Sequence, residues 1–222
     1  GTAAVCVGLT TQLSGSGTPA IFGTWSSSAL SIATVSSVGL VTGFSAGTAT
    51  ITYTDINGCQ DTQLVTVNPI PVISGTASVC IGSTTQLSGT GTATVSGAWS
   101  SSDVAVATIN STGLVTGVAA GTATITYTDI NGCQDTQLVT VNALPVISGT
   151  ASVCVGLTTQ LSGTGSPAAT GAWNTSSAAV ATVSSTGLVT GVSAGTATVT
   201  YTDINGCQDT QLVTVNALPV IS

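Results

Sequence analysis

The side chains best suited to chemistry in this chain are six cysteines and seven aspartates. Cys6, Cys59, Cys80, Cys133, Cys154 and Cys207 stand singly, alternately 53 and 21 residues apart. That spacing contains no C-x-x-C pair, and without histidine no zinc set can be completed. Single cysteines in an acidic, Thr-rich chain are suited instead to disulfides in an oxidising compartment. Acid–base catalysis would rest on aspartate alone. The many Ser and Thr hydroxyls have no His or Lys to activate them. No cation is present to clamp an oxyanion or a phosphate. The reading is therefore a non-enzyme with no catalytic residue and no cofactor. Asp55, Asn57 and Asp61 gather oxygens around one turn, the donor type that calcium takes. Their spacing fits no EF-hand, and Asx side chains commonly serve turns by bonding their own backbone. They stand as weak calcium candidates, and no other metal ligand is assigned.

The elements that must position these residues are repeated. "YTDINGCQDTQLVTVN" occurs at Tyr53, Tyr127 and Tyr201 without one change. Trp25, Trp99 and Trp173 share the spacing of 74 residues that relates the cysteines of each set. Internal periodicity is the first feature to read in a chain, and it divides this one into 1–74, 75–148 and 149–222. The copies diverge most just ahead of each Trp, in "SGTPAIFGTW", "TGTATVSGAW" and "TGSPAATGAW", which marks a variable loop at residues 15–24, 89–98 and 163–172. Divergence confined to a Gly/Pro/Ser-rich stretch marks a surface loop.

Each unit reads as about seven short strands bounded by turn signals, which predicts an all-β, two-sheet sandwich. Val, Ile and Thr dominate, and "ITYT" alternates apolar and polar with the period of a half-buried strand. Trp25, Trp99, Trp173, Tyr53, Tyr127 and Tyr201 are expected in the core. The repeated segment reads as a hairpin whose Asn57-Gly58 supplies a positive-φ pair. For Ile51, Tyr53, Val65 and Val67 to share one face, the connection must hold three or five residues or a bulge, because a one-residue slip exchanges faces. Cys59 then has the parity of Val65 and Val67. Its natural partner is the early cysteine of its own unit, giving Cys6–Cys59, Cys80–Cys133 and Cys154–Cys207. Each bridge would close about 50 residues, worth roughly 4 kcal/mol to a small domain. The rival scheme joins neighbours, Cys59–Cys80 and Cys133–Cys154, and orphans Cys6 and Cys207.

The pieces "VGLTTQL", "WSSSDVAVATINSTGLVTGVAAGTATITYT" and the terminal "VTV" resemble the group 2 bacterial immunoglobulin-like domain family over nearly all of each unit. Unit 3 departs with "WNTSS". The resemblance implies an Ig-like sandwich of extracellular adhesins, invasins and fibres. The cysteine pair lies outside the general pattern and resembles a version found in long secreted surface proteins of Bacteroidota-type bacteria. The expectation is a structural stalk or fibre segment, outside the cell or on its surface, of three domains in an extended rod. Each domain should add roughly 35–40 Å, from six- to eight-residue strands with their turns and linker. The alternative is a module binding a surface glycan or host protein through the variable loop.

A net charge of −7 with Lys+Arg 0 and His 0 leaves nothing to neutralise nucleic-acid phosphates or anionic lipid. No apolar run is long enough to span a membrane as a helix. The missing initiator Met reads as the mark of a piece of a longer chain. "PVIS" at each boundary reads as a first strand for the unit that follows. Unit 1 begins without this strand, while residues 217–222 end in one. Two partners follow: another copy, docked head-to-tail by strand addition, or a further repeat of the same chain.

Overall fold

The computed structural model describes residues 3–94 and 97–221. Unit 1 contains β1 (Ala4–Cys6), β2 (Thr10–Gln12), β3 (Trp25–Ser27), β4 (Ala33–Val35), β5 (Leu40–Gly43), β6 (Gly47–Thr54) and β7 (Gln60–Asn68). Unit 2 opens with an additional strand, β8 (Ile73–Gly75). It continues with β9 (Ser78–Cys80), β10 (Thr84–Gly89), β11 (Trp99–Ser101), β12 (Ala107–Ile109), β13 (Leu114–Gly117), β14 (Gly121–Thr128) and β15 (Gln134–Asn142). Unit 3 repeats this set as β16 (Ile147–Gly149), β17 (Ser152–Cys154), β18 (Thr158–Gly163), β19 (Trp173–Thr175), β20 (Ala181–Val183), β21 (Leu188–Gly191), β22 (Gly195–Thr202) and β23 (Gln208–Asn216).

Each unit is a sandwich of two sheets. One has the order β1-β7-β6-β3, repeated as β9-β15-β14-β11 and β17-β23-β22-β19. The other is β8-β10-β13-β12 in unit 2 and β16-β18-β21-β20 in unit 3, but only β2-β5-β4 in unit 1. The "PVIS" segment accounts for the difference. β8 pairs antiparallel with β10, Ile73 opposite Gly89, and β16 pairs likewise with β18. These strands bridge the sequence boundaries at 74/75 and 148/149 and belong to the unit that follows.

The long hairpin carries the core. Ile51 lies opposite Gln63 and Ala49 opposite Val65, and Thr54–Gln60 is the last pair before a loop of residues 55–59. The loop is thus odd-numbered, as the shared face of Ile51, Val65 and Val67 requires, and all three are buried. The turn uses positive φ at Gly58 alone (φ 78°), and no non-Gly residue among those described has positive φ. The expected Asn57-Gly58 pair is corrected on this point, because a longer loop needs only one left-handed residue. Threonines line the outer face, with Thr52 opposite Thr62 and Thr48 opposite Thr66.

Each unit has its own apolar cluster, centred on Ile51, Ile125 or Val199. The tryptophans are half-buried at the edge of these clusters, because β3, β11 and β19 are edge strands. Each ring meets the tyrosine opposite it, with centroids 4.9, 4.7 and 4.7 Å apart. Tyr127 and Tyr201 are buried, whereas Tyr53 is only half-buried.

Candidate functional site at the unit junctions

The turn at residues 55–59 is built by its aspartate. One carboxylate oxygen of Asp55 accepts the backbone N–H groups of Asn57 (2.9 Å) and Cys59 (2.8 Å). The other accepts from the Asn57 side-chain amide at 3.3 Å. The Cys59 N–H holds the Asp55 carboxyl below its ordinary range, with the Asn57 and Gly58 donors assisting and partial desolvation opposing. Asp61 accepts from the Thr62 N–H. The oxygens of Asp55 and Asp61 thus have turn and backbone work, and the Asn57 side chain donates to Asp55. No group of three or more His, Cys, Asp or Glu among the described residues is arranged to hold a metal.

In units 2 and 3 the same residues perform a second task. A carboxylate oxygen of Asp135 accepts the Ile73 N–H at 2.7 Å, and Asp209 accepts that of Ile147 at 2.7 Å. The Val72 N–H donates to the Thr90 hydroxyl and its carbonyl accepts from the Thr90 N–H, and Val146 and Thr164 repeat the pair. Pro71 and Pro145 are buried just ahead of these contacts. The chain entering a unit is therefore clamped by that unit's own hairpin.

The disulfides close the same junctions. Cys6 is bonded to Cys133 and Cys80 to Cys207, each with Cα atoms 5.6 Å apart and a sequence separation of 127. The within-unit pairs Cys6–Cys59, Cys80–Cys133 and Cys154–Cys207 are corrected by this geometry, as are Cys59–Cys80 and Cys133–Cys154. β1 runs parallel to β7, which sets Cys6 beside Asn68 at the end of that strand. Cys59 precedes its first residue. Two cysteines at opposite ends of a nine-residue strand are roughly 30 Å apart, far outside disulfide reach. Parity placed Cys59 on the correct face but could not say at which end. The early cysteine stands where the chain leaves its unit, and the turn cysteine of the next unit stands where the chain arrives. Cys59 and Cys154 are free in this chain.

Identical sequence in different surroundings shows what the junction covers. Cys133 and Cys207 are 0% and 1% exposed and Asp129 and Asp203 only 5% and 6%, while Cys59 is exposed and Asp55 partly so. The variable loop packs at the same end: Pro19, Ala93 and Pro167 bridge to Asp55, Asp129 and Asp203. In unit 1 it presents Ile21 and Phe22 to solvent, 78% and 90% exposed. The positions Val95 and Ser96 of the unit 2 loop lie outside the described residues.

The anchoring role of Asp135 and Asp209 was not readable from sequence, because it joins residues 62 apart through tertiary contact. The only signal was that the "PVIS" segment and the acceptor aspartate recur at one period.

Three consecutive segments, residues 2–67, 65–141 and 140–214, match the profile of the bacterial Ig-like domain (group 2). No curated protein matches the chain. Among solved structures it resembles invasin, described as a bacterial integrin-binding protein, with 15% identity, 86% of this chain and 51% of that one covered, and a TM-score of 0.44. A C-terminal intimin fragment, solved with the intimin-binding domain of the translocated intimin receptor, shares 15% identity over 76% of this chain and 57% of its own (TM-score 0.34). Domains 1–6 of the surface layer protein SbsC share 17% over 89% and 35% (TM-score 0.31). The chain spans between a third and three fifths of the length of these structures, and the likenesses concern the fold alone.

Proposed function

The chain belongs to the bacterial Ig-like domain (group 2) family, and from that premise we propose that it is a load-bearing segment of an extracellular stalk or fibre. One observation carries this reading: every junction within the chain is crossed by a disulfide as well as by the backbone. A tandem array joined only by linkers bends at each one. Here the short Pro-containing linker, the clamped entering strand and the bridge act on the same few residues. Disulfides persist in oxidising surroundings, which supports a place outside the cell.

Solution scattering with and without reductant tests the reading. The oxidised chain is expected to be elongated, roughly 110 Å for three units by strand-length arithmetic. Reduction is expected to broaden its distance distribution by freeing the junctions. A compact particle, or one unchanged by reduction, would contradict it.

A second reading is supported by the exposed Ile21 and Phe22. In it the loop at 15–24 contacts a glycan or a host protein. Grafting the unit 3 loop sequence into unit 1 should then abolish binding in glycan-array or cell-binding assays, while leaving the fold intact.

A further inference from the structure

Two stretches of the chain run from a turn cysteine to the next early cysteine, residues 59–80 and 133–154, and they differ only at 69–70 and 143–144. Each crosses two units. Residues 133–154 descend unit 2 as β15, pass the linker and descend unit 3 as β16 and β17. The second descent is as extended as a single strand. The Ile147 N–H donates to the Asp209 carboxylate and Cys154 pairs with Asn216, so the entering segment keeps level with β23 residue for residue. It does so while changing sheets, β16 lying beside β18 and β17 beside β23. Gly149 makes that crossing at φ 120°, and a Cβ there would collide with the Gln160 carbonyl oxygen. Residues 59–80 repeat the arrangement, with the Ile73 N–H on Asp135, Cys80 beside Asn142 and Gly75 at φ 125°. At about 3.3 Å per residue, the two descents of 133–154 take up roughly 50 Å of a stretch that cannot exceed about 75 Å.

Within unit 2 the two stretches lie side by side. β9 and β15 are parallel, with Ser78–Cys80 paired to Thr140–Asn142, and the Asn142 side-chain amide donates to the Ser78 hydroxyl at 2.8 Å. Tension along the chain therefore pulls both in one direction. The bridge from Cys6 enters the unit at Cys133, and the bridge to Cys207 leaves it at Cys80. Residues 81–132, which hold β10 to β14 and the variable loop at 89–98, belong to neither stretch.

We infer that residues 59–80 and 133–154 are straps that carry axial tension, and that residues 81–132 hang beside them free of load. This rests on the stalk reading and adds which part of a unit bears the tension. Force applied at Cys6 crosses its bridge to Cys133 and reaches Cys154 along one strap, without passing through residues 7–132. Because most of that strap is already extended strand, it has little length to give before its covalent limit. Unfolding of the rest of unit 2 would therefore not lengthen the route. The variable loop stands on the unloaded part, where a change of sequence leaves the strap as it was.

Force spectroscopy of the full chain carrying Cys59→Ser, held at its N-terminus and at Cys154, tests the strap. The oxidised route comprises residues 1–6 and 133–154, roughly 100 Å at full extension, of which strand already takes up about 60 Å. The gain on pulling should therefore stay below about 40 Å. After reduction the route becomes residues 1–154, roughly 540 Å, and the gain should rise about tenfold. Leu87→Ala empties a fully buried position of β10. It should lower the unfolding force of the reduced chain and leave the oxidised gain unchanged. An oxidised gain well above about 40 Å, showing a strap slack or folded back at its linker, would overturn the inference. So would an oxidised gain that Leu87→Ala lengthens. Alkylation of the denatured, unreduced double variant Cys59→Ser/Cys154→Ser separates this from failure of the stalk reading. No reactive thiol in that variant means the bridges formed, so a long gain counts against the strap alone. Reactive thiols mean that the junction bridges themselves are absent, and the stalk reading falls with the strap.

Discussion

Pulling the chain from its ends reads the bridge pattern as a length. With Cys6 bonded to Cys133 and Cys80 to Cys207, the shortest covalent route does not follow the sequence. It enters at Cys6, crosses to Cys133, runs backwards through unit 2 to Cys80, crosses to Cys207 and leaves. That route holds about 70 residues, so full extension of the oxidised chain is roughly 250 Å at about 3.5 Å per residue. Removing one bridge with the pair Cys6→Ser and Cys133→Ser sends the route from the N-terminus directly to Cys80 and lengthens it by only about 20 residues, roughly 70 Å. Had each unit closed on itself, the same two substitutions would open units 1 and 2 together and release about 105 residues, roughly 370 Å. Single-molecule force spectroscopy of the oxidised variant between terminal handles measures the difference. A gain near the larger figure would refute the inter-unit pattern, and so would no gain at all.

Other consequences follow from the surroundings of identical residues. A Cβ on Gly89 would lie 2.5 Å from the buried ring of Tyr127, so Gly89→Ala should cost about 1–3 kcal/mol of unit 2 stability by overpacking. Gly15→Ala should cost less, because Tyr53 is half-buried and its ring can shift, and denaturant melts of the two variants compare them. Asp135→Ala strands the Ile73 N–H and should cost about 1–3 kcal/mol, with faster hydrogen exchange at that amide. Asp61→Ala holds no entering strand in the isolated chain and should change far less. Because the folded-state pKa of Asp55 is lowered, its contribution to stability is present above the ordinary carboxylate range and fades as pH falls through the depressed value. An NMR titration of the Asp55 carboxyl should show that lowered midpoint, and Asn57→Gly, which removes one donor, should raise it.

The fold was legible because its signals are local and repeated. Alternating Thr and apolar residues set the faces of β6, and the common face of Ile51, Val65 and Val67 required an odd loop. The "PVIS" segment announced itself by its apolar run between proline and glycine. The bridges were not legible, because parity tells a side chain which face it occupies but not which end of the strand it shares with a partner. The parallel pairing of β1 with β7, which carries Cys6 to the far end of the unit, leaves no local mark in the sequence. Economy of pairing also pointed the wrong way. Closing each unit on itself leaves no cysteine over, whereas the actual pattern leaves Cys59 and Cys154, one at each end of the chain. Asp129 and Asp203 were readable as turn formers but not as buried groups, since the identical segment in unit 1 leaves Asp55 partly exposed.

The central claim is that the turn cysteines of units 2 and 3, Cys133 and Cys207, are each bonded to the early cysteine of the unit before. Counting alkylatable thiols in the denatured, unreduced double variant Cys59→Ser/Cys154→Ser tests it most directly, because the three turn segments are identical and digestion would not tell them apart. Zero thiols is the predicted count, with both bridges intact. Two thiols, from Cys6 and Cys207 beside a Cys80–Cys133 bond, would contradict it.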